Sequence, residues 1–229
     1  MKLPHEVPVM TLPNATLFPQ ALIPLYIFEP RYRQMLADSL HSHRMFTVAM
    51  QKPGRTRETP FEVAGLGLIR VSVGHKDGTS HLILQGITRV ELVETVRYKP
   101  YRIQRIRPLP SSSADNVTVD ALMAKVRELL EERMRLGLPF PFPVIAQSET
   151  TKQFADKPAT HNFSYKDVLD YLDKLTDPEQ AADLISCAVL AGPAERQTIL
   201  ETVDLQQRLK HLVRFLLAEI QRNRNDSIA

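Results

Sequence analysis

The residues best suited to act on another molecule are two arginines, Arg31 and Arg33, flanking Tyr32 at the end of the apolar run LFPQALIPLYIFEPRYR (Leu17–Arg33). A stiff, proline-punctuated apolar stretch ending in guanidinium groups is suited to holding a partner. Its side chains can cover exposed apolar surface, and the cations favour nearby carboxylates. The candidate contact residues are Leu17, Phe18, Pro19, Tyr26, Phe28, Arg31 and Arg33. Glu29 and either arginine could also do no more than fix a corner of the chain.

A second cationic cluster is VRYKPYRIQRIRP (Val96–Pro108), where Arg97, Lys99, Arg102, Arg105 and Arg107 surround Tyr98 and Tyr101. Such interleaving could follow a phosphate backbone while bases stack on the rings. The expected reading is plainer: charge on an edge strand that resists sheet-to-sheet association. Groups for catalysis are sparse. The chain has no GxxxxGK[ST], GxGxxG, GxSxG or HExxH, so no common nucleotide, serine-hydrolase or zinc-protease site is expected. His41 and His43 are closely spaced, but the one cysteine, Cys187, is remote in sequence and lies in an apolar helical stripe. No metal site, no cofactor and no enzymatic activity are expected, and Cys187 reads as a core residue.

Composition agrees: 24% charged and 43% hydrophobic residues in 229 suit one large or two small globular domains. No apolar stretch reaches the roughly 18–20 residues a membrane helix needs. The N-terminus lacks the apolar core of a secretion signal, so a cytoplasmic protein is expected. Residues 1–113 carry 15 Lys+Arg against 8 Asp+Glu, and residues 114–229 carry 14 against 18. The halves therefore differ in sign, and they differ in pattern too.

The first half reads as short antiparallel strands forming a closed or half-closed barrel. Pro8 and Pro24 should place their strands at edges or bulges, and Gly65, Gly67 and Gly86 should mark bulges or corners. Asp77-Gly78 predicts a two-residue hairpin turn. One helix, Pro30 to about Leu40, is expected from Pro30 at its first position and from Tyr32, Met35, Leu36 and Leu40 at helical spacing, with Glu29 favouring its positive end. Past the polar Ser111–Ser113 the pattern becomes helical. A stripe from Val119 to Met134 ends at Gly137; helices open at Ser164, at Asp177-Pro178 and near Ala194, and a last one follows Asp204. The long Leu138–Phe163 loop begins LPFPFP; Phe140 and Phe142 would be adhesive if exposed, and are expected instead to pin the loop. The domains expected are 1–113 and 114–229.

Several ordered motifs, TLPNATLFPQALIPLYIFEPRYRQML, GLGLIR, LILQGITRVEL, the PYR of Pro100–Arg102, LTDPEQAADLI and PAERQTILETVDLQQRLKHL, resemble the LON N-terminal (substrate-binding) domain family. It is the module in front of the ATPase and peptidase parts of ATP-dependent Lon proteases, found also as a free-standing bacterial protein. The resemblance runs from about Val7 to Ile220; Ile23 stands where the family often has leucine, and Leu138–Phe163 matches least. It implies an α+β fold: a PUA-like pseudo-β-barrel with one helix, followed by a C-terminal helical bundle. The function implied is non-catalytic binding of unfolded or exposed hydrophobic polypeptide segments, alongside a protease or chaperone system. With no Walker motif and nothing following to supply a Ser–Lys pair, neither ATPase nor peptidase activity is expected. The exposed side of the Pro30–Leu40 helix start is the expected contact surface. An RNA-binding PUA-like protein and an adaptor or scaffold remain the alternatives.

Overall fold

The computed structural model describes residues 2–55, 58–110, 116–139 and 175–226. Among them are six strands, β1 (Glu6–Leu12), β2 (Leu22–Ile27), β3 (Met45–Met50), β4 (Val63–Gly74), β5 (Ser80–Arg97) and β6 (Arg102–Pro108). Five helices accompany them: α1 (Pro30–Leu40), α2 (Asn116–Arg135), α3 (Pro178–Val189), α4 (Pro193–Glu201) and α5 (Leu205–Asp226). No helix among the described residues is long and apolar enough to cross a membrane.

The strands form one sheet in the order β2-β5-β4-β3-β1-β6, and β6 returns to pair with β5, so the sheet closes on itself. The length of β5 allows this. Its first part takes β2, its last part takes β6, and β4 runs along its other side. Among the described residues β2 pairs with β5 alone, which leaves one edge of β2 open. Pro24 sits on this edge strand, as its missing donor requires.

Pro8 corrects the same expectation, because β1 lies between β3 and β6. Pairing with β3 begins at Val9, and the Pro8 carbonyl accepts a 3.1 Å hydrogen bond from Thr47 Oγ1. The proline therefore meets no demand for an N–H on that side. Nor are all pairs antiparallel: β1 and β3 run parallel, with α1 in the crossover that parallel neighbours need. The turn between β4 and β5 spans three residues rather than two. His75 N–H donates to Thr79 O at 2.8 Å, Gly78 N–H to His75 O at 2.9 Å, and Gly78 has φ +80°, a left-handed conformation that glycine adopts without penalty.

Helix α1 has the expected bounds and buries Tyr32, Met35, Leu36 and Ser39. Glu29 is its N-cap residue, but its carboxylate makes no cap hydrogen bond. It accepts instead from Arg31 Nε at 2.8 Å.

The segment Leu17–Phe18 lays its backbone directly against β4 and β5, and this explains the glycines. A Cβ at Gly65 would fall on the Leu17 carbonyl oxygen, one at Gly86 on the Phe18 carbonyl oxygen, and one at Gly67 within the Leu84 side chain. The expected corners are thus places of close backbone approach, with a register shift at Leu66/Gly67. Gly86→Ala should destabilise the fold by at least about 1–3 kcal/mol. Gly74→Ala, whose Cβ would meet only Ser80 Oγ at 3.8 Å, should shift a urea midpoint little. Equal midpoints for the two variants would contradict the close-approach reading.

The helices bury one apolar cluster that includes Val126, Leu129, Ile185, Ile199, Leu209 and Leu212. Their ends carry the punctuation that the sequence suggests. Gly137 follows α2 with φ +66°, Asp177 Oδ1 accepts from Glu179 N–H at 3.0 Å ahead of α3, and Asp204 Oδ1 accepts from Gln207 N–H at 2.8 Å ahead of α5. Phe18 and Ala21, from the strand half, belong to this same cluster. Polar contacts join the halves as well: Gln197 Nε2 donates to Val63 O at 3.0 Å, and Arg196 Nη2 to Asn14 O at 2.8 Å. The expected helix from Ser164, and Phe140 and Phe142 of the LPFPFP run, fall within 140–174, outside the described residues.

Candidate functional site

The alternation of β2 decides which part of the apolar run is available. Ile23, Leu25 and Ile27 pack on the core of the closed sheet, so Leu22, Pro24 and Tyr26 lie on the opposite, outer face. On β5, Leu82 and Leu84 point inward, which places His81 and Ile83 outward. Their register partners on β4 are Val73 and Val71. Pro24, Tyr26, Ile83, His81, Val71 and Val73 therefore share one outer face of β2, β5 and β4.

A row of rings crosses this face. Tyr26 is 49% exposed and Phe28 58%. The Tyr26 ring stacks at 5.8 Å from Phe28 on one side and at 4.7 Å from His81 on the other. His75 meets His81 edge-on at 4.9 Å between ring centres, with His75 Nε2 and His81 Nδ1 2.7 Å apart, one donating and the other accepting. Rings pre-stacked in this way present large, rigid contact area at little conformational cost.

The other proposed contact residues are arranged differently. Leu17 and Phe18 are 0% exposed, sealed in the sheet core and the helical core respectively, and Pro19 is half-buried. The expected open ledge at Leu17–Pro19 is thus corrected: local apolarity there serves packing. Arg31 lies 4.4 Å over the Tyr32 ring and ion-pairs with Glu29 at 2.8 Å and Glu58 at 2.5 Å. Burial works against its charge, but the hydrogen bonds to Glu58 and Glu29 outweigh it and push its pKa up. Tyr32 in turn has its hydroxyl 3.2 Å from both Thr11 N and Thr11 O, and burial first, then the Glu58 charge, pushes its pKa up to about 12. Arg31 therefore fixes the corner at the start of α1. Arg33 is exposed, and its guanidinium packs against Gly78 in the β4–β5 turn.

Two arginines of the cationic strip are paired with carboxylates where they stand, and two more lie over rings. Arg105 pairs with Glu94 at 2.8 Å and with Glu6 at 3.4 Å, and Arg107 pairs with Glu91. Arg102 Nη2 donates to Glu58 O at 2.8 Å and its guanidinium lies 5.1 Å over Tyr98, while Arg97 lies 4.9 Å over Tyr101. Lys99 is exposed in the β5–β6 connection. The strand bearing these residues, β6, is no edge; it closes the sheet between β1 and β5. Cross-strand charge pairing explains the composition.

No group of three or more His, Cys, Asp or Glu that could hold a metal ion occurs among the described residues. Burial pushes the Cys187 thiol up, which disfavours the thiolate.

Two features escape sequence reading. His75 faces Thr79 and His81 faces Val73 in the hairpin register, so the two rings meet on a diagonal that the turn sequence does not announce. Arg89, on β5, is a buried charge: its guanidinium forks onto Asp183 of α3, with Nη1 at 2.8 Å from Oδ2, and its Nε donates to Leu200 O at 3.0 Å. Arg208 Nη1 reaches the same carboxylate at 3.1 Å. No local pattern announces a triad assembled from residues so far apart.

A six-stranded sheet closed on itself and packed against helices is an α+β fold of the Lon N-terminal type. The chain belongs to the ATP-dependent protease La (LON) substrate-binding domain family, whose model matches residues 6–218. It is similar to the Lon protease of Dictyoglomus thermophilum, 22% identical over 222 residues that cover 96% of this chain and 25% of that protein. It is similar also to the Lon protease of Trichlorobacter lovleyi, 26% identical over 214 residues covering 91% and 23%. The chain thus spans about a quarter of the length of these curated relatives. What it matches is the substrate-binding domain, not the ATPase or protease parts. Among solved structures, the N-terminal domain of Mycobacterium avium complex Lon protease superposes with a TM-score of 0.67 at 17% identity, covering 92% of this chain and 97% of that one. A Lon N-terminal domain protein from Xanthomonas campestris gives 0.57 at 18% identity, covering 92% and 98%.

Proposed function

We propose that the chain is a non-catalytic module that holds exposed hydrophobic segments of unfolded polypeptides on the outer face of β2, β5 and β4. The observation that carries this reading is the half-exposed row of Phe28, Tyr26 and His81 beside the open edge of β2. Aromatic groups held in place by a closed sheet bury apolar surface of a partner without first being ordered, and an open strand edge offers backbone groups to an extended chain. Membership of a substrate-binding family supports the same assignment. The strand-rich part, 1–113, and the helical part, 114–229, act as a PUA-like pseudo-barrel and a C-terminal bundle, the first providing the contact face and the second bracing it. Neither hydrolyses ATP or peptide bonds. The module works in the cytoplasm, handing segments to a protease or chaperone system.

Retention on immobilised, reduced and carboxymethylated lactalbumin tests the site. The Tyr26→Ser/Phe28→Ser double variant should lose at least about tenfold in retention, the loss expected for aromatic anchors, with an unchanged melting temperature. Equal retention by variant and wild type would remove the face from consideration.

A further inference from the structure

The charges around the ring-lined face say which segments it takes. At one end of β2 the Arg33 guanidinium packs against Gly78, and Lys76 is exposed on the same turn. At the other end Arg70 is exposed on β4, held by a 2.5 Å hydrogen bond from its Nε to Gln85 Oε1, and Gln85 stands opposite Leu22 in the register. Two carboxylates lie nearby. Glu29 is offset by Arg31, whereas Asp77 is exposed and held by hydrogen bonds that leave its charge in place: its Oδ1 accepts from Thr79 N–H at 3.0 Å and from Thr79 Oγ1 at 2.7 Å. Arg33 and Lys76 therefore set two cations against one carboxylate at this end. Among the described residues, no ion pair joins Arg33, Lys76 or Arg70 to a carboxylate, whereas Arg31 and Arg105 each have two such partners and Arg107 has one. Between these cationic ends lie only apolar or ring-bearing groups: Pro24, Tyr26, Ile83, His81, Val71 and Val73. Leu22 to Phe28 is six residue steps, about 20 Å of extended chain.

We infer that the preferred occupant is an extended apolar segment of about six residues bracketed by carboxylates, an inference that rests on the polypeptide-binding reading above. The apolar stretch lies along the rings while an acidic residue at one end meets Arg33 and Lys76 and one at the other meets Arg70. Basic brackets would set like charges against each other at both ends, so the same cations reject as well as attract.

Fluorescence anisotropy with three labelled peptides tests it, each sharing one apolar hexapeptide core flanked by Asp-Asp, Ser-Ser or Lys-Lys at both ends. At about 50 mM salt the Asp-bracketed peptide should bind about tenfold tighter than the Ser-bracketed one and the Lys-bracketed peptide weakest, the spread shrinking at about 500 mM as screening shortens the reach of charge. Arg33→Glu/Arg70→Glu should reverse the order, and Tyr26→Ser/Phe28→Ser should weaken all three alike. Equal binding of the three peptides by the wild type would overturn the charge preference and leave polypeptide binding standing. Failure of all three to bind would overturn both. Wild-type dimerisation in sedimentation that Tyr26→Ser/Phe28→Ser abolishes, without peptide binding, would assign the face to a second copy of the chain instead.

Discussion

Asp183→Ala should unfold at a temperature about 10 °C below the wild type, a loss corresponding to about 3–5 kcal/mol. Asp183 is buried between two arginines that are themselves buried, Arg89 from the sheet and Arg208 from α5. Arg208 also donates through Nε to Thr202 O at 3.0 Å and through Nη2 to Val203 O at 2.8 Å, and Arg89 donates to Leu200 O at 3.0 Å. These carbonyls lie at or just past the C-terminal end of α4, where the helix dipole is negative and offsets part of the surplus positive charge. Burial still pushes the Arg208 pKa down, with the Asp183 charge opposing it. Removing the carboxylate therefore leaves two desolvated guanidinium groups facing each other. A circular-dichroism melt within about 2 °C of the wild type would show that the triad does not hold sheet and helices together. An Arg89→Met/Asp183→Leu double variant should be less destabilised than Asp183→Ala alone, because it leaves one buried guanidinium, that of Arg208, without a carboxylate instead of two.

Phe18→Ala should cost about 3–5 kcal/mol in urea unfolding, whereas Phe28→Ala should change stability by no more than about 0.5 kcal/mol. The two phenylalanines are ten positions apart in one apolar run and have opposite environments. Phe18 is 0% exposed among the side chains of the helical core, and Phe28 is 58% exposed beside Tyr26. Truncating the first opens a cavity at the seam of the two halves; truncating the second removes a ring that is largely in solvent. Similar unfolding midpoints for the two variants would mean that Phe18 does not anchor the helices to the sheet.

The same pair of residues shows how far the sequence could be read. Local signals were legible because local physics causes them. Pro30 with Tyr32, Met35 and Leu36 at helical spacing sets α1, and Asp177 ahead of Pro178 opens α3. Pro24 marks an edge strand. Gly65, Gly67 and Gly86 were legible as corners, but not the Leu17–Phe18 backbone that makes them necessary, since that contact joins residues far apart in the chain. For the same reason the burial of Leu17 and Phe18 could not be told from the exposure of Tyr26 and Phe28. Both pairs are apolar, and only the register of β2 on β5 and the position of the helices separate them. The basic strip misled because its carboxylate partners, Glu6, Glu91 and Glu94, sit on neighbouring strands. The ring row needed Tyr26 opposite His81, a pairing across two strands.

Phe18 lies only four residues ahead of the first residue of β2, the strand that carries Tyr26. On the proposed function, a tug on a chain held at Tyr26 would be carried, within eight residues, to an aromatic peg set among the helices. So short a tether would leave the strand little slack with which to peel away, and the load would reach both halves together.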